Sequence, residues 1–99
     1  MREFQHRVLE LTAKIPRGKV TTYKQIALAM GKPKAYRAVA MALAKNPHPI
    51  KIPCHRVIKS DGNIGGYAGG IEKKKNLLVR EGVKIKGNKV LLSKYLFKL

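Results

Sequence analysis

Acidic residues are few in this chain, cysteine occurs once and long apolar runs are absent; each scarcity excludes something. Asp and Glu number 5 against 22 Lys and Arg, a formal net charge of +17. Such a surplus weakens a compact state by self-repulsion, so a polyanionic partner is expected, with nucleic acid ahead of a membrane surface. Lysine enrichment for thermal stability normally brings Glu with it in ion-pair networks, and here Glu is scarce. A single cysteine, Cys54, rules out an internal disulfide and fits an intracellular protein. No apolar stretch approaches the roughly 20 residues of a membrane span. The N-terminus, Met1-Arg2-Glu3-Phe4-Gln5-His6-Arg7, lacks the apolar core of a signal peptide. The expectation is a cytoplasmic or DNA-associated protein that makes no membrane contact. One cysteine and scattered histidines give no metal-ligand spacing, so neither a metal nor a cofactor is expected.

What is present suffices for one thin-cored domain: 99 residues, 44% of them apolar. Phe4, Val8, Leu11 and Ile15 recur at intervals of four and three, which predicts a helix over Glu3 to Ile15, broken by Pro16 and Gly18. Thr22 followed by Gln25 resembles a capping box, so a second helix is expected from Tyr23 to a stop at Gly31. Pro33 suits the start of a third helix from about Lys34 to Lys45. Two short helices around a tight turn outline a helix-turn-helix, an outline that many unrelated helical hairpins share. An extended segment is expected from Ile50 to Ile52, leading into Pro53-Cys54-His55-Arg56-Val57-Ile58. Ser60 to Asn63 reads as a turn, and the glycines of Gly65 to Gly70 permit close approach of another molecule. A fourth helix is expected over Glu72 to Glu81 with Gly82 as cap, then a small hairpin around Gly87-Asn88. The expected fold is mainly α with short β segments, a helix-turn-helix, winged-helix-like domain spanning residues 1–99.

Free cysteine is among the most commonly buried and inert residue types, so Cys54 gains interest only from its neighbours. A proline precedes it and His55 and Arg56 follow. Attack on a carbon electrophile requires the thiolate, hence a base and nearby positive charge. His55 is a candidate base; in an extended segment it would point away from Cys54 and act through a bridging water. It could equally be a structural hydrogen bonder or a metal ligand. On the third helix Val39 and Leu43 should face the core, leaving Arg37, Ala40 and Ala44 on another face. One long cation among small side chains suits a helix that must approach a DNA groove closely; it also suits an ordinary alanine-rich helix with a solvated arginine.

The motif Ile52-Pro53-Cys54-His55-Arg56-Val57 resembles the active-site signature of the O6-alkylguanine-DNA alkyltransferases. Thr22-Tyr23-Lys24-Gln25, Pro33-Lys34-Ala35-Tyr36-Arg37-Ala38-Val39, Asn46-Pro47, Gly66-Tyr67-Ala68-Gly69-Gly70 and Leu77-Leu78-Val79-Arg80-Glu81-Gly82 resemble further blocks of that family, in its order. The resemblance implies single-turnover transfer of an alkyl group from O6-alkylguanine, with O4-alkylthymine a further candidate substrate. It assigns Cys54 as acceptor, His55 as base, Glu81 as the carboxylate orienting it, and Asn46 as the hinge before the active-site segment. Tyr23 would help rotate the nucleotide and bond the guanine, Arg37 would fill the vacated stack, and Tyr67 would wall the base pocket. Thr22, Ala38, Arg56, Val57, Ala68 and Gly69 are expected on the DNA or substrate side, with backbone groups near Val57 and Ala68 holding the base. Many relatives have Ser at the position of Ala68, where a backbone N–H can still donate. Some have Gly where this chain has Ala40 and Met41. Relatives usually carry an additional N-terminal domain, which the resemblance implies is absent here. The implied partner is duplex DNA carrying alkylated guanine, bound by a monomer. Two rivals stand beside this reading: a lesion binder of the same fold that does no chemistry, and a plain helix-turn-helix regulator. Known lesion binders replace the cysteine, and a regulator has no need of Pro53-Cys54-His55-Arg56.

Overall fold

In the structure, a computed structural model, residues 2–48, 51–67 and 69–99 are described. The N-terminal apolar stripe forms helix α1, Arg2–Thr12, with Val8 and Leu11 buried. The helix ends at Thr12 rather than at Ile15. Pro16 lacks an N–H and disfavours helical backbone in the residue before it, so the chain tightens into Lys14 N–H to Leu11 and Ile15 N–H to Thr12 bonds, each 3.1 Å. Ile15 still enters the core at 1% exposure.

Two residues of strand β1, Thr21–Thr22, then pair in parallel with β2, Val57–Ile58, in the register Thr21 to Val57 and Thr22 to Ile58. This pairing was not foreseen, because a two-residue strand carries no periodicity of its own. Its consequence is large. Val57 joins a cluster with Val8, Ile26, Val39 and Cys54, while Ile58 joins a second cluster with Val20, Ile64, Leu78 and Tyr95. Neighbouring strand residues point to opposite faces, so β2 faces both cores and lies between them.

Helix α2, Tyr23–Ala29, starts where expected: the Thr22 hydroxyl caps it, accepting the Gln25 N–H at 3.0 Å. It ends at Ala29, with Gly31 at φ +72 in the turn beyond. Helix α3, Tyr36–Ala44, begins later than expected, because Lys32 to Ala35 form a turn closed by an Ala35 N–H to Lys32 bond of 2.9 Å. Its buried residues are Val39, Ala42 and Leu43. Helices α1, α2 and α3 pack on one another, and α2 with α3 makes the helix-turn-helix. Helix α4, Ile71–Arg80, follows, and the expected hairpin appears as β3, Ile85–Lys86, antiparallel to β4, Lys89–Val90. Gly62 is required where this hairpin docks: it sits at φ +91, and a Cβ there would lie 2.7 Å from the Val90 carbonyl oxygen. A short helix α5, Leu92–Tyr95, also unforeseen, precedes a C-terminal segment whose Phe97 N–H bonds the Val20 carbonyl at 2.7 Å. No helix among the described residues is long and apolar enough to cross a membrane.

Candidate active site

Cys54 does not lie on an extended segment. Pro53 and the bond from Arg56 N–H to its carbonyl, 2.9 Å, wind Cys54–Arg56 into one 3-10 turn. Successive side chains of such a turn are about 120° apart, so Cys54 and His55 need not oppose each other. The turn is held from α3 by Asn46, whose side-chain Nδ2 donates to the Ile52 carbonyl at 2.9 Å while its Oδ1 accepts the His48 N–H at 2.9 Å. One amide thus links the chain just past α3 to the residue two before the thiol.

The thiol, 8% exposed, lines a cavity of about 410 Å³ with Tyr23, Ala40, Leu43, Ala44, Gly66 and Tyr67. A second hollow of about 610 Å³ shares Tyr23 and Ala40 and is bordered by Arg37, Tyr36, Lys24 and Lys59. The alanines of α3 therefore leave room where larger side chains would fill the mouth, and the exposed Arg37 stands beside that opening. Gly69 packs under the Tyr67 ring, where a Cβ would come within 3.1 Å of the ring carbon Cε2. Ala68 lies outside the described residues.

Behind the thiol is a buried charge cluster. His55, with no exposed surface, meets Glu81 through Nε2 at 3.0 Å, and its Nδ1 has no hydrogen-bond partner among the protein atoms. Arg56 grips the same carboxylate at both ends, Nε to Oε1 at 2.9 Å and Nη2 to Oε2 at 2.6 Å, and its Nη1 donates to the Ile15 carbonyl at 2.7 Å. Arg56 was expected on the DNA or substrate side; the structure turns it inward, because a bidentate carboxylate partner stands there. Thr22, expected there too, is 4% exposed and caps α2, which aims Tyr23 at the pocket. Ala38 is half-buried on α3. Burial holds His55 below the ordinary imidazole range, against the pull of Glu81. Burial alone would raise Glu81, but hydrogen bonds from Arg56 and His55 and their charges keep it below the usual carboxylate range. Burial and then the Cys54 thiol raise both Tyr23 and Tyr67, so both phenols stay protonated donors at neutral pH. Among the described residues no three His, Cys, Asp or Glu gather as a metal site.

Sequence reasoning missed Lys74, which the structure buries at 1% exposure with Nζ on two backbone carbonyls. It sits within Lys73-Lys74-Lys75, easily read as a solvated run, but its position four before the buried Leu78 marked it as inward-facing.

Fold and site together define a helix-turn-helix domain with a cysteine at the floor of a pocket and a histidine–glutamate pair behind it. The family model of the 6-O-methylguanine DNA methyltransferase DNA binding domain matches residues 3–83, and the chain belongs to that family. A methylated-DNA–protein-cysteine methyltransferase of Methanothermobacter thermautotrophicus is 54% identical over 85 residues, 86% of this chain and 47% of that protein. The bifunctional transcriptional activator/DNA repair enzyme Ada of Escherichia coli is 50% identical over 78 residues, 79% of this chain and 22% of Ada. The chain spans about half the length of the methyltransferase relative or less. Among solved structures, Mycobacterium tuberculosis OGT in complex with DNA superposes at TM-score 0.78 and 46% identity, over 80% of this chain and 49% of that one. S. pombe Atl1 in complex with damaged DNA containing O6-carboxymethylguanine superposes at TM-score 0.89 and 36% identity, over 100% of this chain and 98% of that one. The fold, mainly α with short strands, is that of these neighbours.

Proposed function

We propose that this chain repairs alkylated DNA by taking the alkyl group of an O6-alkylguanine onto Cys54, once per molecule. The observation that carries this reading is the thiol in a pocket walled by Tyr23, Tyr67 and the small residues of α3, with His55 and Glu81 packed behind it. The surplus of cations engages phosphates, and α2 and α3 lie against a groove. The damaged nucleotide turns out of the stack, since its O6 substituent is out of reach within the duplex. His55 Nδ1, the nitrogen that Glu81 leaves free, takes the thiol proton through a water. Cys54 Sγ then bonds the alkyl carbon as the carbon–O6 bond breaks, and the electron pair stays on guanine. A hydrogen bond from the Tyr23 hydroxyl to the purine offsets that charge until guanine is protonated. The thioether has no route back, so the molecule is spent.

A second reading, lesion binding without chemistry, is favoured by the match to Atl1 over nearly the whole of both chains. Cys54 in its pocket favours the first. Duplex DNA carrying O6-methylguanine with a labelled methyl group separates them. Label should pass to the intact protein; tight binding with all label left on DNA would establish the lesion binder instead.

Arg37 carries a separate expectation. Exposed at the pocket mouth, it is placed to enter the stack and offset part of an unstacking cost of about a few kcal/mol. Arg37→Ala should slow transfer from duplex DNA more than from a single strand, at saturating protein. Equal slowing on both would reduce Arg37 to a phosphate contact.

A further inference from the structure

The steps above make no use of Lys74, the buried cation. It projects from α4 on the face that Leu78 shares. Its Nζ donates to the Val57 carbonyl at 2.8 Å and to the Gly66 carbonyl at 3.1 Å, and stands 5.9 Å from the centre of the Tyr23 ring. Val57 immediately follows the Cys54–Arg56 turn, and Gly66 and Tyr23 line the cavity with the thiol. One ammonium therefore ties the glycine loop to β2 at the back of the reacting group. We infer that Lys74 is a positioning residue of the transfer reaction, fastening the loop wall of the base pocket to β2 and setting a fixed positive charge behind the Cys54–His55 turn. This rests on the transfer reading above.

A cation out of water is weakly screened and acts more strongly on its neighbours than surface lysines do. The titratable groups around it are Tyr23 of α2 and Cys54 and His55 of the 3-10 turn, and Tyr67 lines the same cavity as the thiol. A positive charge here favours the thiolate and disfavours the imidazolium. Glu81, bonded to the opposite edge of His55, does the reverse for the imidazolium. Lys74 thus offsets charge developing on Sγ, and Glu81 offsets charge developing on His55, as the proton passes between them. Burial lowers Lys74 to about 8, opposed by Cys54, so the ammonium is the main form at neutral pH.

Alkylation of Cys54 by iodoacetamide, followed against pH without DNA, isolates thiol ionisation from base binding. Lys74→Met removes charge and donors together; Lys74→Gln removes the charge but keeps N–H donors for the two carbonyls. Both should move the midpoint of alkylation upward, and both should slow single-turnover methyl transfer at neutral pH. If Lys74→Met fails to fold, by circular dichroism, the Gln variant carries the test. A Lys74→Gln profile that coincides with that of the intact protein overturns the inference. An intact protein that reacts with iodoacetamide but takes no methyl from DNA overturns the transfer reading, and leaves the comparison of alkylation midpoints standing.

Discussion

Glu81→Gln is expected to slow methyl transfer by roughly a hundredfold or more, the scale of a well-placed general base, while leaving affinity for undamaged duplex nearly unchanged. The carboxylate serves two partners at once, His55 Nε2 at 3.0 Å and the Arg56 guanidinium at 2.6 and 2.9 Å. Without its charge, burial and the Arg56 and Lys74 cations act on His55 unopposed, and the imidazole becomes a weaker base. Arg56, with 15% of its side chain exposed, would keep a largely uncompensated charge. Breaking a buried pair on one side costs about 3 kcal/mol or more, a large part of the margin of a domain this small. Denaturant unfolding should record that loss, and transfer rates should be read well below the melting temperature. Neither cost involves the exposed surface lysines, hence the unchanged affinity for DNA.

The same cluster sets the acid response of the intact protein. Glu81 is depressed in the folded state, so its stabilisation is complete above the ordinary carboxylate value of about 4.3 and is lost as pH falls below it. His55 is also depressed, but as a base: the unfolded chain binds the proton first, so stability begins to fall as pH drops below about 6.5. Both act in one direction, and Glu81→Gln should shrink the lower step, leaving the part that Asp61, depressed by the Asn63 N–H bond, contributes.

What could be read without coordinates was whatever short-range pattern controls. The α1 stripe of Val8 and Leu11, the Thr22 cap and the Gly87-Asn88 hairpin each follow from residues a few places apart, and each formed. Ile15 shows the limit: its burial followed from the stripe, but Pro16 moved it off the helix. The β1–β2 pairing joins residues 36 apart in sequence, Thr21 with Val57, and no local signal announces it. Within the site, Cys54, His55, Tyr23 and Tyr67 were recognisable from their motifs, and the structure brings all four around the pocket or directly behind it. The resemblance put Arg56 on the DNA or substrate side, and only the return of Glu81 at the end of α4 shows that its guanidinium has a carboxylate partner inside the fold. Lys74 was hidden by composition, as one lysine among many.

Cys54→Ala is expected to abolish repair altogether while preserving recognition of the lesion. The side chain contributes one sulfur to a cavity of about 410 Å³, and neither the Asn46 link nor the Arg56–Glu81–His55 cluster depends on it. Truncation removes little buried surface, so the domain should fold and still bind O6-methylguanine duplex, becoming a lesion binder. The direct measurement is a titration: increasing amounts of intact protein and of Cys54→Ala are incubated to completion with excess O6-methylguanine duplex, restored guanine is counted, and the protein is mapped by peptide mass. The account predicts one guanine restored per intact molecule, one methyl group on the peptide containing Cys54, and no repair by the variant. More guanine restored than protein present, or any repair by Cys54→Ala, would contradict it.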